Sequence, residues 1–136
     1  MVISLLADAN IQGQVEILVG RMQSEHWRDF WDYLQVRHVT FADVGLQPAD
    51  SDAVIWHRCQ QMGLILLTDN RNDDGPDSLV ATIRAHNQPT SLPVFTIGNI
   101  RQLTESPAYA DRVIDHLFEY LLELDNVRGT GRLYLP

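Results

Sequence analysis

Leu64-Ile65-Leu66-Leu67-Thr68-Asp69 reads as a buried strand that ends in a carboxylate. A short apolar run without polar alternation fits a parallel strand covered on both faces. Gly63 before it is a helix stop. After it comes Asn70 to Pro76, a polar loop with no hydrophobic residue.

Toward the N terminus, the helix that Gly63 closes starts at a cap on Asp50 or Ser51 and reaches Met62. Its expected inward stripe is Ile55, Cys59 and Met62. Gln47-Pro48-Ala49 is a turn, and Arg37–Phe41 predicts a second strand. Ser24 predicts the cap of a helix carrying Trp27, Phe30, Trp31 and Leu34. Ile11, Val15, Leu18 and Met22 recur at helical spacing. Val2–Ala7 is a further apolar strand, and it ends at Asp8.

Toward the C terminus, the pattern predicts a helix over Asp77–His86, a strand over Pro93–Ile97 and a last strand over Arg132–Leu135. The longest helix is expected from Ser106 to about Asn126. Its stripe is Val113, Leu117, Leu121 and Leu124, widened by Ile114 and Phe118. Alternating short strands and amphipathic helices predict an α/β protein: a three-layer α/β/α, Rossmann-like domain with a mostly parallel sheet of about four to five strands. The 136 residues suit one domain, with no linker or repeat.

Composition excludes several chemistries. The formal net charge is −8, which argues against a general phosphate-binding surface. All ten basic residues are Arg. Without lysine there is no P-loop lysine, no Schiff base and no Ser–Lys dyad. A single cysteine, Cys59, permits no intrachain disulfide and is expected to be a buried small hydrophobe. The apolar run Met1 to Ala7 is too short for a signal or a membrane span, so the expectation is a cytoplasmic protein with no membrane role. The five histidines show no ligand spacing.

In a parallel α/β sheet, strand C termini and helix N termini share one edge, where ligands bind. Asp8 and Asp69 stand at strand ends, and Asp52 falls in the first turn of its helix, three residues before Ile55. Asp73, Asp74 and Asp77 follow in the polar loop. Gathered carboxylates raise one another's pKa unless a cation neutralises them. Mg²⁺ or Mn²⁺ does so through oxygen ligands and can activate water against a phosphodiester. Asn10, Thr68 and Asn70 are placed to orient water or phosphate, and Arg71 and Arg101 are the candidate phosphate contacts. Each acid alone has a plainer reading, as a cap for orphan N–H groups. Trp27, Trp31 and Trp56 can stack bases, but their helical spacing favours core or dimer interface. Asp111, Asp115, Glu119 and Glu123 form an acidic ridge, expected to be a solvated face or a dock for a basic partner.

Leu5-Leu6-Ala7-Asp8-Ala9-Asn10 resembles the opening of small PIN-like proteins, a group that includes toxin-like nucleases. Phe41–Leu46 resembles their segment after the second strand. Asp50–Ile55, followed by Gly63–Asp69, resembles their core. The resemblance covers roughly residues 3–98. It implies a PIN-like fold and metal-dependent RNA cleavage. By it, Asp8, Asp52 and Asp69 are catalytic acids and ligands of Mg²⁺ or Mn²⁺, with a fourth acid from Asp73 or Asp74. It further implies an RNA substrate and an antitoxin partner, and a homo-oligomer is expected. The chain departs from the pattern after the strand, where Asn70 and Asn72 occupy positions at which the family often carries Asp. That departure supports an alternative, a PIN-like binding module without catalysis. A phosphoryl-accepting receiver-like domain, with Asp69 as acceptor, is a third reading, weakened by the missing lysine.

Overall fold

The computed structural model describes residues 2–71 and 75–136. The run 64–68 is β3 (Leu64–Thr68), and every residue in it is buried. It sits at the centre of a five-stranded sheet. The other strands are β1 (Ile3–Ala7), β2 (Val36–Val39), β4 (Val94–Ile97) and β5 (Arg132–Leu135). Their order is β2-β1-β3-β4-β5, and all pairs are parallel. Direction reverses at β1, so the switch point falls between β1 and β3, where ligands bind in open α/β sheets.

Alternation along each strand divides the core in two. Leu5, Ala7, Ile65, Leu67, Phe95 and Ile97 face α1 (Gln12–Met22), α2 (Arg28–Tyr33) and α6 (Pro107–Leu122). Leu6, Leu64, Leu66 and Val94 face α3 (Asp52–Met62) and α4 (Leu79–His86). The result is a three-layer α/β/α domain. Among the described residues no helix is long and apolar enough to cross a membrane.

The helix faces fix the hand of each crossover. The connection β1–β2 runs leftward with α1 on one face, while β2–β3 and β3–β4 run rightward with α3 and α4 on the other. These three share a hand. The connection β4–β5 also runs rightward, yet α6 lies on the α1 face, so this crossover has the opposite hand. Nearly all single crossovers share one hand; here the exception is a long connection through α5 (Ile100–Glu105), α6 and α7 (Leu124–Val127). Its consequence is an uncovered outer sheet face. On the α3/α4 side, Ile83 of α4 reaches the start of β5 at Gly131, but Tyr134 further along is 55% exposed.

Several boundaries differ from the sequence expectation. The second strand is Val36–Val39 rather than Arg37–Phe41. Thr40 leaves the ladder because its N–H donates to Asp43 Oδ2 while its hydroxyl accepts from the Asp43 N–H. Ser24 caps no helix; its hydroxyl donates back to the Arg21 carbonyl, and Trp27 takes the N-cap position of α2. Met62 is 51% exposed, and Trp56 takes its place on the buried stripe beside Ile55 and Cys59. The helix expected over Asp77–His86 starts at Leu79, capped by the Ser78 hydroxyl. α5 was not foreseen, being only six residues long. Ser106 ends α5 and caps α6, with Pro107 in the first turn. α6 stops at Leu122, before the expected Asn126, because Glu123 leaves helical geometry.

All three tryptophans are buried, so none offers a face to a base. Asp111 is not simply solvated. Arg21 grips it with two hydrogen bonds of 2.7 and 2.9 Å, and these hold its carboxyl below the usual range. Both side chains are partly exposed, so the pair contributes at most about 1 kcal/mol. Asp115, Glu119 and Glu123 remain exposed.

Cys59 is buried against β3, and burial, helped by the charge of Asp8, pushes its thiol up to about 12. The thiolate is the reactive form. The native protein is therefore expected to resist iodoacetamide at pH 8 and to alkylate fully once unfolded in urea. Rapid labelling of the native chain would contradict this burial.

Candidate functional site

β1 delivers Asp8 to the switch point. The Asp8 N–H donates to the Leu67 carbonyl at 2.9 Å, which extends the β1–β3 ladder by one step. The residue then turns the chain into a 3₁₀ turn over Ala9–Ile11, and its Oδ1 accepts from the Ala9 N–H at 2.8 Å. The capping role is thus real. The other oxygen, Oδ2, accepts from the Thr68 hydroxyl at 2.8 Å.

Thr68 is fully buried at the end of β3, and its hydroxyl also accepts from the Asn70 N–H at 3.0 Å. A hydroxyl can donate and accept at once. It therefore ties the Asp8 carboxylate to the loop that follows the strand. Asn70 carries the link onward, because its amide donates to Asp52 Oδ2 at 2.9 Å. The same Asp52 oxygen accepts from the Leu79 N–H at 3.2 Å, at the start of α4. Asp52 sits in the first turn of α3, whose cap is Ser51. Asp69 lies on the other side of the strand end, where Asn10 donates to its Oδ1 at 3.4 Å.

Among the described residues no arginine or histidine forms an ion pair with Asp8, Asp52 or Asp69. The Asp8 carboxyl is held above its ordinary value mainly by burial. The Thr68 and Ala9 hydrogen bonds pull it down, and the charges of Asp52 and Asp69 push it up. An all-oxygen donor set with surplus negative charge suits a hard divalent cation. Against this, among the described residues no three His, Cys, Asp or Glu side chains are grouped closely enough to hold a metal ion. Asp73 and Asp74, the expected fourth acids, lie outside the described residues.

Two residues that sequence reasoning passed over complete the edge. Arg132 of β5 donates to the Asn70 carbonyl at 2.6 Å and to the Thr96 hydroxyl at 2.8 Å. Burial lowers its pKa, Asp52 and Tyr134 act to raise it, and Arg71 lowers it further; a guanidinium stays charged regardless. Tyr134, two residues on, shares its sheet face. The alternation Arg132-Leu133-Tyr134-Leu135 was the available signal, but only the open crossover gives that face significance. Arg71 donates to the Gly98 carbonyl at 2.6 Å, and its guanidinium carbon lies 5.6 Å from the centre of the Tyr134 ring. Arg101 is instead turned along α5 to Glu105 at 3.3 Å, so it does not join Arg71 as a phosphate contact.

An open depression of about 380 Å³ lies beside Asp52, lined by Asp50, Ser51, Gly75 and Asp77 among others. The larger cavity, about 640 Å³, lies between α1, α5 and α6 and contains none of the three acids. Chemistry, not volume, marks the strand-end edge as the candidate site. Comparison of the chain with protein-family models, with curated proteins and with solved structures finds no match. The class therefore rests on the fold alone: a doubly wound, three-layer α/β/α domain with an acidic switch point.

Proposed function

We propose that this chain is a divalent-metal-dependent phosphodiesterase of the PIN-like kind, acting on RNA. The observation that carries the reading is the hydrogen-bonded chain from Asp8 through Thr68 and Asn70 to Asp52 at the β1–β3 switch point, with Asp69 next to Thr68 in the chain and no ion-pair partner for any of the three acids among the described residues. Mg²⁺ often uses only one or two carboxylates and completes its shell with water and substrate phosphate. A set short of three protein ligands is thus compatible with it. Asp8 and Asp69 are the residues that would hold Mg²⁺ or Mn²⁺, and the bound ion would supply charge neutralisation and Lewis acidity.

The chain's own residues have distinct tasks in this reading. Thr68 orients the Asp8 carboxylate. Asn70 holds Asp52 at the margin, and Asn10 steadies Asp69. Arg71 is the positive group available to a substrate phosphate. The reading includes an antitoxin partner, on the family resemblance, and a homo-oligomer.

A second reading has its own support. Each acid already receives a neutral donor, so the cluster can stand without an ion, as it would in a PIN-like binding module that lacks catalysis. One titration separates the two. The phosphodiesterase is expected to gain several degrees of Tm in 1–5 mM Mn²⁺ or Mg²⁺, about 1–3 kcal/mol of linkage for concentrations well above Kd, and to cleave single-stranded RNA only with the ion present. An unchanged melt and intact RNA would leave the binding module as the better account.

A further inference from the structure

The reversed β4–β5 crossover leaves an aromatic ring and a guanidinium side by side on an open sheet face, next to the acids. Tyr134 projects from that face and pairs across the ladder with Thr96. Arg71 leaves the loop that carries Asp69 and Asn70 and reaches the same ring. Among the described residues no carboxylate pairs with Arg71. Its one hydrogen bond there goes to a neutral carbonyl at the end of β4, so most of its N–H fork remains for an anion. Arg132 adds a second positive charge beneath, anchored to Thr96 and Asn70.

The rest of the molecule repels polyanions, with a net charge of −8. Among the described residues, four of the ten arginines pair with acids, namely Asp111, Asp32, Glu105 and Asp125. Arg71 and Arg132 make no ion pair among the described residues, although the charge of Asp52 acts on Arg132, and with Tyr134 they place two positive groups beside one exposed ring. An exposed ring on an open sheet face is a stacking platform, and every base offers a π-face to it.

We propose that Arg71 and Tyr134 form a nucleotide subsite on the open face of β5, with a phosphate held by Arg71 and its base stacked on Tyr134. The inference builds on the phosphodiesterase reading, since it says where the substrate strand lies beside the acids. Its test does not require cleavage.

The test is fluorescence anisotropy of a labelled single-stranded RNA decamer with the full chain in EDTA, where no metal-dependent reaction runs. Tyr134→Ala is expected to weaken binding roughly tenfold or more. Tyr134→Phe keeps the ring and should stay within about twofold. Arg71→Ala is expected to weaken binding and to lower the salt-dependence slope by about one. Tyr134 is exposed, so a circular-dichroism melt of Tyr134→Ala should match the parent. Absence of saturable binding by the parent overturns the proposal, as does binding by Tyr134→Ala and Arg71→Ala within twofold of it. Equal losses in Tyr134→Phe and Tyr134→Ala also overturn it, because the ring would then not be the contact. RNA binding that needs Tyr134 and Arg71, with no cleavage on adding Mn²⁺, supports the subsite and removes the phosphodiesterase reading. Cleavage that needs Asp8 but not Tyr134 or Arg71 does the reverse.

Discussion

Asp8→Asn is expected to make the metal-free protein more stable and, on the phosphodiesterase reading proposed above, to remove the metal response and the RNA cleavage. The direction follows from the sign of the Asp8 shift. Its folded-state pKa lies above the unfolded value of 3.8, chiefly through burial. Between those two values the folded chain holds more protons than the unfolded one, so stability falls as pH rises through the window. Near neutral pH the full penalty is present. Asparagine removes the charge and keeps the cap, because its Oδ1 still accepts from the Ala9 N–H. Its amide can donate to the Thr68 hydroxyl, which now turns its own proton elsewhere. The expected gain is about 1 kcal/mol, in the range seen when a functional site is relieved. In EDTA, the parent is expected to lose part of its disadvantage as pH falls toward 4, and the variant should show no such trend. Outer-shell changes at metal sites already cost about 10–100-fold in affinity or activity, so loss of a direct ligand should cost at least the upper end of that range. A variant that melts lower than the parent in EDTA, or that keeps its Mn²⁺ response, would sink the assignment.

Burial also decides what could be read from the chain and what could not. The strands β1 and β3 were visible because they are almost wholly buried, Ser4 alone being half-buried, and burial on both faces writes itself as a nearly unbroken apolar run. Asp8 and Asp69 were visible for the same reason, as the first charged residues after those runs. Asp52 was placed correctly at the start of α3, but its partners were not, since Asn70 and Leu79 meet it only through the path of a loop. The small errors at β2 and α2 came from side chains competing with the ladder, as Thr40 and Asp43 do. Arg132 and Tyr134 were illegible for a larger reason. Their alternation states that they share a face, but not whether a helix covers it. That depends on the hand of the β4–β5 crossover, which ordinary expectation gets wrong here.

Phe95→Ala is expected to be the most damaging single truncation in the sheet. The ring is fully buried in the middle of β4, on the face toward α6. Its ladder neighbours are Leu67 on β3 and Leu133 on β5. Its ring centre lies 5.6 Å from that of Tyr120 on α6, which adds an aromatic contact to the area it buries. A fully buried phenylalanine reduced to alanine costs about 3–5 kcal/mol, through lost transfer energy and the cavity left behind. For a domain of this size that is a large share of a total of about 5–15 kcal/mol. The expected shift is roughly 10–20 °C in Tm, with a lower urea midpoint and an unchanged m-value. The loss should reach the site as well. Register Leu67–Phe95 continues to Thr68–Thr96, so the β3–β4 pairing that steadies Phe95 also sets Thr68 against Asp8 and Thr96 against Arg132. The variant is therefore expected to lose the proposed RNA binding near its lowered midpoint, whereas Met62→Ala, an exposed truncation of similar chemistry, should change stability by only about 0.5 kcal/mol. Equal effects from Phe95 and Met62 would mean that the α6 face of the sheet is not the packed core described.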